Sequence, residues 1–202
     1  MNAIKKLWRS ALYHIAGELP LRIISDGTRP YLERHYIGTV FGLRVYLHRF
    51  VGDDPDRGLH DHPWPWACSF VLAGWYNELR RTHLMPQPVR WFNWLRADTF
   101  HRVLLPRQYK AHGWLIQSAS QRSCYTLFIH PAKTCKAWGF WRETPAGTFS
   151  LPNPDSNTRI QSHRPATATW EQFTYDHGGM GSTDWWNETL IAKLHPQRRA
   201  HD

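Results

Sequence analysis

Apolar positions recur every three or four residues between Asn2 and Leu19. Ile4, Leu7, Trp8, Ala11, Leu12 and Ile15 fall on one stripe, Asn2 stands where a helix cap would, and Pro20 closes the run. The pattern predicts an amphipathic helix that packs on its own domain rather than lying on a membrane surface. From Arg22 the β-type pattern takes over. Arg22–Ser25, Tyr31–Tyr36 and Thr39–Phe50 read as strands, with a turn at Asp26 and Gly27. A turn-rich loop, Gly52–Gly58, then delivers the chain to the aromatic run Leu59–Tyr76, LHDHPWPWACSFVLAGWY. A short charged segment (Glu78, Arg80, Arg81) and a Pro-containing loop, Met85–Pro88, follow.

Val89–Leu95 and Thr99–Leu105 are the next predicted strands, separated by a turn at Arg96, Ala97 and Asp98. Gly113–Ser118, Ser123–His130 and Ala137–Arg142 complete the series. Many short strands at close intervals behind a single helix argue an all-β sandwich or barrel. Beyond Glu143 the chain turns to Pro, Thr, Ser, Asn and Gly, and reads as an arm whose aromatic segments Trp170–Tyr175 and Trp185–Leu194 dock on the domain. The expected organisation is a helix over 1–20, a β domain over 21–143 and the arm over 144–202, with no internal repeat.

Length and composition fit this plan, since 202 residues with 42% hydrophobic content suit one domain with a real core. The net charge of +9 comes mostly from arginine, 19 of the 25 basic residues. Guanidinium forks pair with carboxylates and phosphates, so the excess leans toward anionic ligands. The arginines are scattered rather than clustered, which favours a solvated basic surface over a nucleic-acid footprint. Cys68, Cys124 and Cys135 form no CxxC pair and are odd in number, as expected of a reducing compartment. The basic N-terminus lacks the apolar core of a signal peptide, and no stretch approaches the roughly 20 apolar residues of a membrane span. A cytoplasmic protein without a membrane partner is expected.

The chemistry concentrates in histidine. On an extended strand His60 and His62 point the same way, with Trp64, Trp66, Cys68, Phe70 and Leu72 following them. His101 shares a strand face with Thr99 and Val103. If the two runs are neighbours, three neutral nitrogen donors converge on one ion and leave positions open for substrate. Imidazole accommodates Fe, Zn, Cu or Ni, and the ligand set does not choose among them. Asp61 alternates to the other face, which argues against its being a ligand.

At these residues the chain resembles the cupin superfamily. The first cupin motif has an HxH pair, an acidic residue about five positions on and a glycine seven beyond that; here the positions hold His60, His62, Ala67 and Gly74. The second motif has a histidine after a Pro-x-Gly turn and a following Asn; here the positions hold Arg96, Asp98, His101 and Leu105, a variant turn that leaves the histidine ligand in place. The likeness covers about 46–129, and HDHPW with a later WGFW resembles a group of small bacterial and phage cupins. It implies a jelly-roll barrel, the cupin double-stranded β-helix, behind the N-terminal helix. Ala67 replaces the usual glutamate ligand, so the resemblance points to the three-histidine cupins such as thiol dioxygenases. In that group Fe(II) would be held by His60, His62 and His101, with Zn, Ni, Cu or Mn as alternatives. Cupins also commonly pair through their sheets, so the resemblance favours a homodimer.

An oxygenase of this kind needs an anion clamp and a proton carrier. Arg44, Arg49 and Arg102 flank the predicted strands and are the candidate clamp. Tyr46, His48, Tyr125 and His130 are candidate acid, base or hydrogen-bond groups, of which His48 and Tyr125 are the chosen pair. Trp64 and Trp66 are candidate substrate contacts at the rim of a pocket. The leading expectation is a mononuclear non-haem iron oxygenase acting on a small anionic substrate, such as an amino or thiol acid or a nucleotide-like molecule. The competing one is a metal-free cupin, acting as a sugar or nucleotide-sugar isomerase or epimerase, or as a binding module.

Overall fold

The computed structural model describes residues 3–55, 58–83, 85–106, 108–112, 115–119, 122–144, 169–173 and 184–201. Asn2, the start of the Gly113–Ser118 run and the arm from 145 to 168 and 174 to 183 lie outside them. In chain order the elements are α1 (Ala3–Gly17), β1 (Leu21–Ser25), β2 (Pro30–Val40), β3 (Leu43–Phe50), β4 (Leu59–His60), β5 (Trp66–Ala73), β6 (Tyr76–Arg80) and β7 (Gln87–Val89). β8 (Phe92–Arg96), β9 (His101–Leu104), β10 (Gln108–His112), β11 (Leu115–Ala119), β12 (Cys124–Pro131), β13 (Phe140–Thr144) and β14 (Thr169–Phe173) follow. Two single 3₁₀ turns, Trp185–Asn187 and Ala192–Leu194, lie near the end.

The strands form two six-stranded antiparallel sheets. Sheet one has the order β1-β2-β3-β12-β5-β8 and sheet two β14-β13-β4-β9-β6-β7, while β10 and β11 make a separate ribbon. The sheets pack face to face through Tyr31, Leu32, Phe50 and Cys124 of sheet one and Tyr76, Val89 and Val103 of sheet two, one buried cluster. Neither sheet closes on itself, so the arrangement is an open pair of facing sheets rather than the jelly-roll barrel expected. No helix among the described residues is long and apolar enough to cross a membrane.

Three local features depart from the pattern reading. Thr39–Phe50 is not one strand: Phe41 (φ 50°) and Gly42 (φ 75°) both adopt the left-handed conformation of a tight hairpin turn between β2 and β3. The run from His60 to Leu72 is not one strand either. Pro63 and Pro65 lack the N–H that a ladder needs, so pairing lapses between β4 of sheet two and β5 of sheet one. Residues 61–65 therefore cross the sandwich and carry His62 and Trp64 into its interior. Beyond them Trp66 and Phe70 face outward, where Trp66 stacks on Trp94 and Phe70 meets Phe92 at a tilt, both partners on β8. The third departure is α1, whose predicted stripe is only partly covered: Leu12 is buried against the domain, while Ile4, Leu7 and Ile15 are exposed.

That helix is turned by its anchors. The Arg9 guanidinium donates to the Ser123 carbonyl at 2.8 Å and hydroxyl at 2.9 Å, and the Trp8 indole donates to the Leu72 carbonyl at 2.8 Å. Leu12 and Ala16 then pack on Leu47 and Tyr125, the outer face of sheet one. Gly74 makes the close approach possible: its φ is +86°, and a Cβ there would meet the Ser123 carbonyl at 3.1 Å.

Candidate metal centre

β4 and β9 are neighbours in sheet two, and His60 stands directly opposite His101 in their register. Opposed residues of an antiparallel pair share a face, so both rings point into the sandwich. His62 arrives from the crossing segment. The ring centroids lie 5.4 Å (His60–His62), 4.7 Å (His60–His101) and 5.1 Å (His62–His101) apart. One nitrogen of each ring lies within 4.8 Å of the other two. His62 Nε2 and His101 Nε2 are 2.9 Å apart, close to the about 3.0 Å separating two ligands at right angles on an ion with bonds of about 2.1 Å.

Hydrogen bonding sets the tautomer of His101. Its Nδ1 is 2.7 Å from Glu78 Oε1. Burial alone would raise the Glu78 pKa, but its hydrogen bond with His101, the Arg80 guanidinium and the Asn93 amide hold it at about 2. Glu78 is therefore a carboxylate, an acceptor only, and His101 must donate from Nδ1. Nε2 keeps its lone pair for the cluster, the arrangement by which a carboxylate orients a ligand imidazole. Glu78 Oε2 accepts from Arg80 Nε at 2.6 Å, and Oε1 also accepts from Asn93 Nδ2 at 2.7 Å. Asn93 belongs to β8 in the opposite sheet, so the carboxylate is tied across the sandwich. His62 stays neutral, its pKa pushed well below the ordinary value by burial and then by His101 and His60.

Asp61 takes no place among the clustered nitrogens. Its fully buried carboxylate accepts the Gly139 N–H at 2.7 Å and the Lys136 ammonium. A Cβ on residue 139 would lie 2.8 Å from its Oδ2. The clamp fixes the 136–139 loop so that Trp138 packs 5.2 Å from the His62 ring and 6.1 Å from that of His60.

The three histidines border a cavity of about 490 Å³ between the sheets. His48 lines it from sheet one and stacks on Phe128 at 4.6 Å. His48 Nε2 accepts from Arg34 Nε at 3.2 Å, and its pKa is pushed well below the ordinary value by burial and by the Arg34 charge. Arg22 and Arg34, absent from the sequence-based clamp, both line the cavity.

The remaining candidates do not line it. Strand alternation decides most of them: with His48 inward on β3, Arg49 must face out, and with Phe128 inward on β12, so must Tyr125. Tyr125 packs under α1. Arg49 bonds Glu33 at 3.2 Å and the carbonyls of Arg199 and Ala200 at 2.8 and 2.6 Å. Arg44 points inward but lies beyond the cavity, over the Trp186 ring at 5.0 Å and 3.7 Å from Asp184. Arg102 donates to the Asp54 carbonyl at 3.1 Å. Trp64 stacks between His62 (5.4 Å) and His130 (3.4 Å), buttressing the cluster rather than meeting a ligand. Trp66 is on the outer face. Among groups the sequence reading missed, Glu78 was signalled by the alternation Tyr76, Glu78, Arg80 of a strand, and Arg34 by its place beside the His48 strand.

No protein-family model matches the chain, and no curated protein matches it. Among solved structures it is similar to a cupin-2 domain containing protein from Shewanella frigidimarina, at 12% identity and TM-score 0.36 over 48% of this chain and 78% of that one. It is similar to DMSP lyase DddQ from Ruegeria pomeroyi at 16% identity and TM-score 0.41 over 59% of each chain. A third likeness is to Fe(II)-HppE with the alternative substrate (S)-1-HPP, at 14% identity and TM-score 0.39 over 56% of each chain. Overlaps of this size carry neither a reaction nor a ligand across.

Proposed function

We propose that the chain is a metal-dependent cupin-like enzyme, a mononuclear non-haem Fe(II) oxygenase of a small organic anion, with His60, His62 and His101 as the ligands. The observation that carries this is the convergence of three ring nitrogens within 4.8 Å, with the remaining proton of His101 held by Glu78. The donor set fits a divalent transition metal: three imidazoles, no competing cation among them, and a cavity on one side for other ligands. A bound iron would supply Lewis acidity and open positions for dioxygen and substrate.

The rest is the work of this chain's side chains. Glu78 and Asn93 hold His101 in one tautomer, Trp138 and Trp64 brace His62, and Phe128 and Phe140 keep the adjoining wall apolar. His48, whose Nε2 accepts from Arg34, carries its ring proton on Nδ1 and can donate a hydrogen bond from there. A metal-free isomerase or binding module draws on one observation, that the 2.9 Å contact between His62 and His101 is also a hydrogen bond in an empty cluster.

Elemental analysis of freshly purified protein separates the two. The expected result is near-stoichiometric iron that is lost in His101→Ala. Zinc, nickel, copper or manganese at the same stoichiometry would replace iron in the reading. Protein free of metal, with a fully folded His101→Ala variant indistinguishable from the parent in metal titration, would sink it.

A further inference from the structure

The two walls of the cavity are chemically unlike. Sheet two supplies His60 and His101, while sheet one supplies two guanidinium groups, Arg22 and Arg34, opposite each other in the β1–β2 register. Like charges on one face repel, and a half-buried pair is normally offset by carboxylates. Among the described residues, no carboxylate forms an ion pair with either arginine. The two acids on the cavity lining are engaged elsewhere. Asp26 accepts from Thr28 and Arg29 within its own turn. Asp54 accepts the Val103 N–H at 2.8 Å and lies 3.9 Å from His60. Arg34 commits its Nε to His48 and lies 5.5 Å over the Tyr46 ring, and among the described residues the two terminal nitrogens of the fork meet no anion. Burial and the neighbouring Arg22 charge both weigh against its positive charge, although Tyr46 partly compensates. An anion between the forks would relieve that cost.

Size and polarity narrow the ligand further. A cavity of about 490 Å³ falls in the range for drug-sized molecules, far larger than a three-carbon amino or thiol acid needs. Away from the arginines and histidines its walls are largely apolar, with Phe50, Leu95, Phe128 and Phe140 prominent. We propose that Arg22 and Arg34 form an anion subsite, and that the ligand is an amphiphilic organic acid whose charged head rests there while its apolar body fills the space up to the three-histidine wall. This deepens the proposed function and rests on it only in treating the ligand as a substrate; the subsite itself needs no metal.

The test uses full-length protein stripped of metal by a chelator, and calorimetric titration with 6-phenylhexanoate, its neutral amide, 6-phenylhexyl phosphate and cysteine. The acid is expected to bind at least tenfold tighter than the amide, as charge-assisted bidentate pairing requires, and cysteine is expected not to compete. The phosphate arm shows which anionic head is preferred. In Arg22→Gln/Arg34→Gln the acid and amide should bind within twofold of each other. Arg22→Gln alone, at a half-buried position, should lower the preference at least threefold and serves if the double variant fails to fold. Equal binding of acid and amide by the parent, an undiminished preference in the arginine variants, or no saturable binding of either charged probe at millimolar concentration would each overturn the proposal. His101→Ala separates the two readings. A preference for the acid that persists in that variant upholds the subsite whatever the protein's metal content proves to be.

Discussion

Replacing Glu78 by Gln tests the physical core of the site. The substitution keeps the shape and one carbonyl acceptor but removes the charge and introduces an NH₂ group. With Oε1 still accepting from His101 and Asn93, that NH₂ must face Arg80 Nε, which now sits 2.6 Å from Oε2, donor against donor. The magnitude can be reached in two ways. Holding a carboxyl at about 2 instead of its ordinary 4.5 corresponds to roughly 3 kcal/mol of preference for the folded carboxylate. Breaking a buried charged pair by removing one partner costs about 3–5 kcal/mol. Glu78 is 3% exposed, so solvent offers little relief. Urea denaturation of metal-free protein at pH 7 should therefore show Glu78→Gln destabilised by about 2–4 kcal/mol. Loss of the negative charge behind His101, which raises the basicity of its Nε2, should weaken metal binding about 10–100-fold, measured by competition with a chromophoric chelator. A variant as stable as the parent with unchanged metal affinity would refute the claim that this carboxylate sets the ligand's tautomer.

Three further outcomes follow from other contacts. Arg49→Ala should cost about 3–5 kcal/mol by leaving Glu33 buried without its guanidinium, with the metal stoichiometry of the folded protein unchanged; a parallel loss of metal would place Arg49 in the site after all. Gly139→Ala should cost about 1–3 kcal/mol, because its Cβ would lie 2.8 Å from Asp61 Oδ2, and calorimetry should show the melting temperature falling while metal affinity drops as Trp138 shifts. Asp26 is held at about 2 by its Thr28 and Arg29 bonds, which outweigh the desolvation that raises it. Because the folded pKa is depressed, its contribution is present above the ordinary 3.8 and disappears as pH falls toward about 2. Asp26→Ala should thus cost about 1 kcal/mol at pH 7 after solvent screening, and denaturation curves of variant and parent should converge below pH 3. A gap that widens on acidification would contradict the assignment.

Much of the β architecture was legible because period-two alternation is a local property. Ser123–His130 contains most of β12, and Arg22–Ser25 most of β1. The grouping of His60, His62 and His101 was expected from residue type and strand parity together with the cupin resemblance, and the three rings do cluster. What misled was treating Leu59–Tyr76 as one ladder: Pro63 and Pro65, the fifth and seventh residues of that strand-like run, signal a break, and the break is what carries His62 between the sheets. The apolar stripe of α1 was equally visible, yet its orientation followed from Arg9 reaching Ser123, 114 residues away, which no local pattern contains.

Residue order alone thus determined which groups were available and which faces alternate, since backbone stereochemistry acts between neighbours. Only the tertiary structure decided which side of each strand looks inward. It sent Arg49 and Tyr125 to the outer face while turning Arg34 and His48 toward the cavity. It also brought Glu78 and Asn93 together from opposite sheets, because the partner of a buried charge is chosen by whatever packing leaves beside it, however distant in the chain.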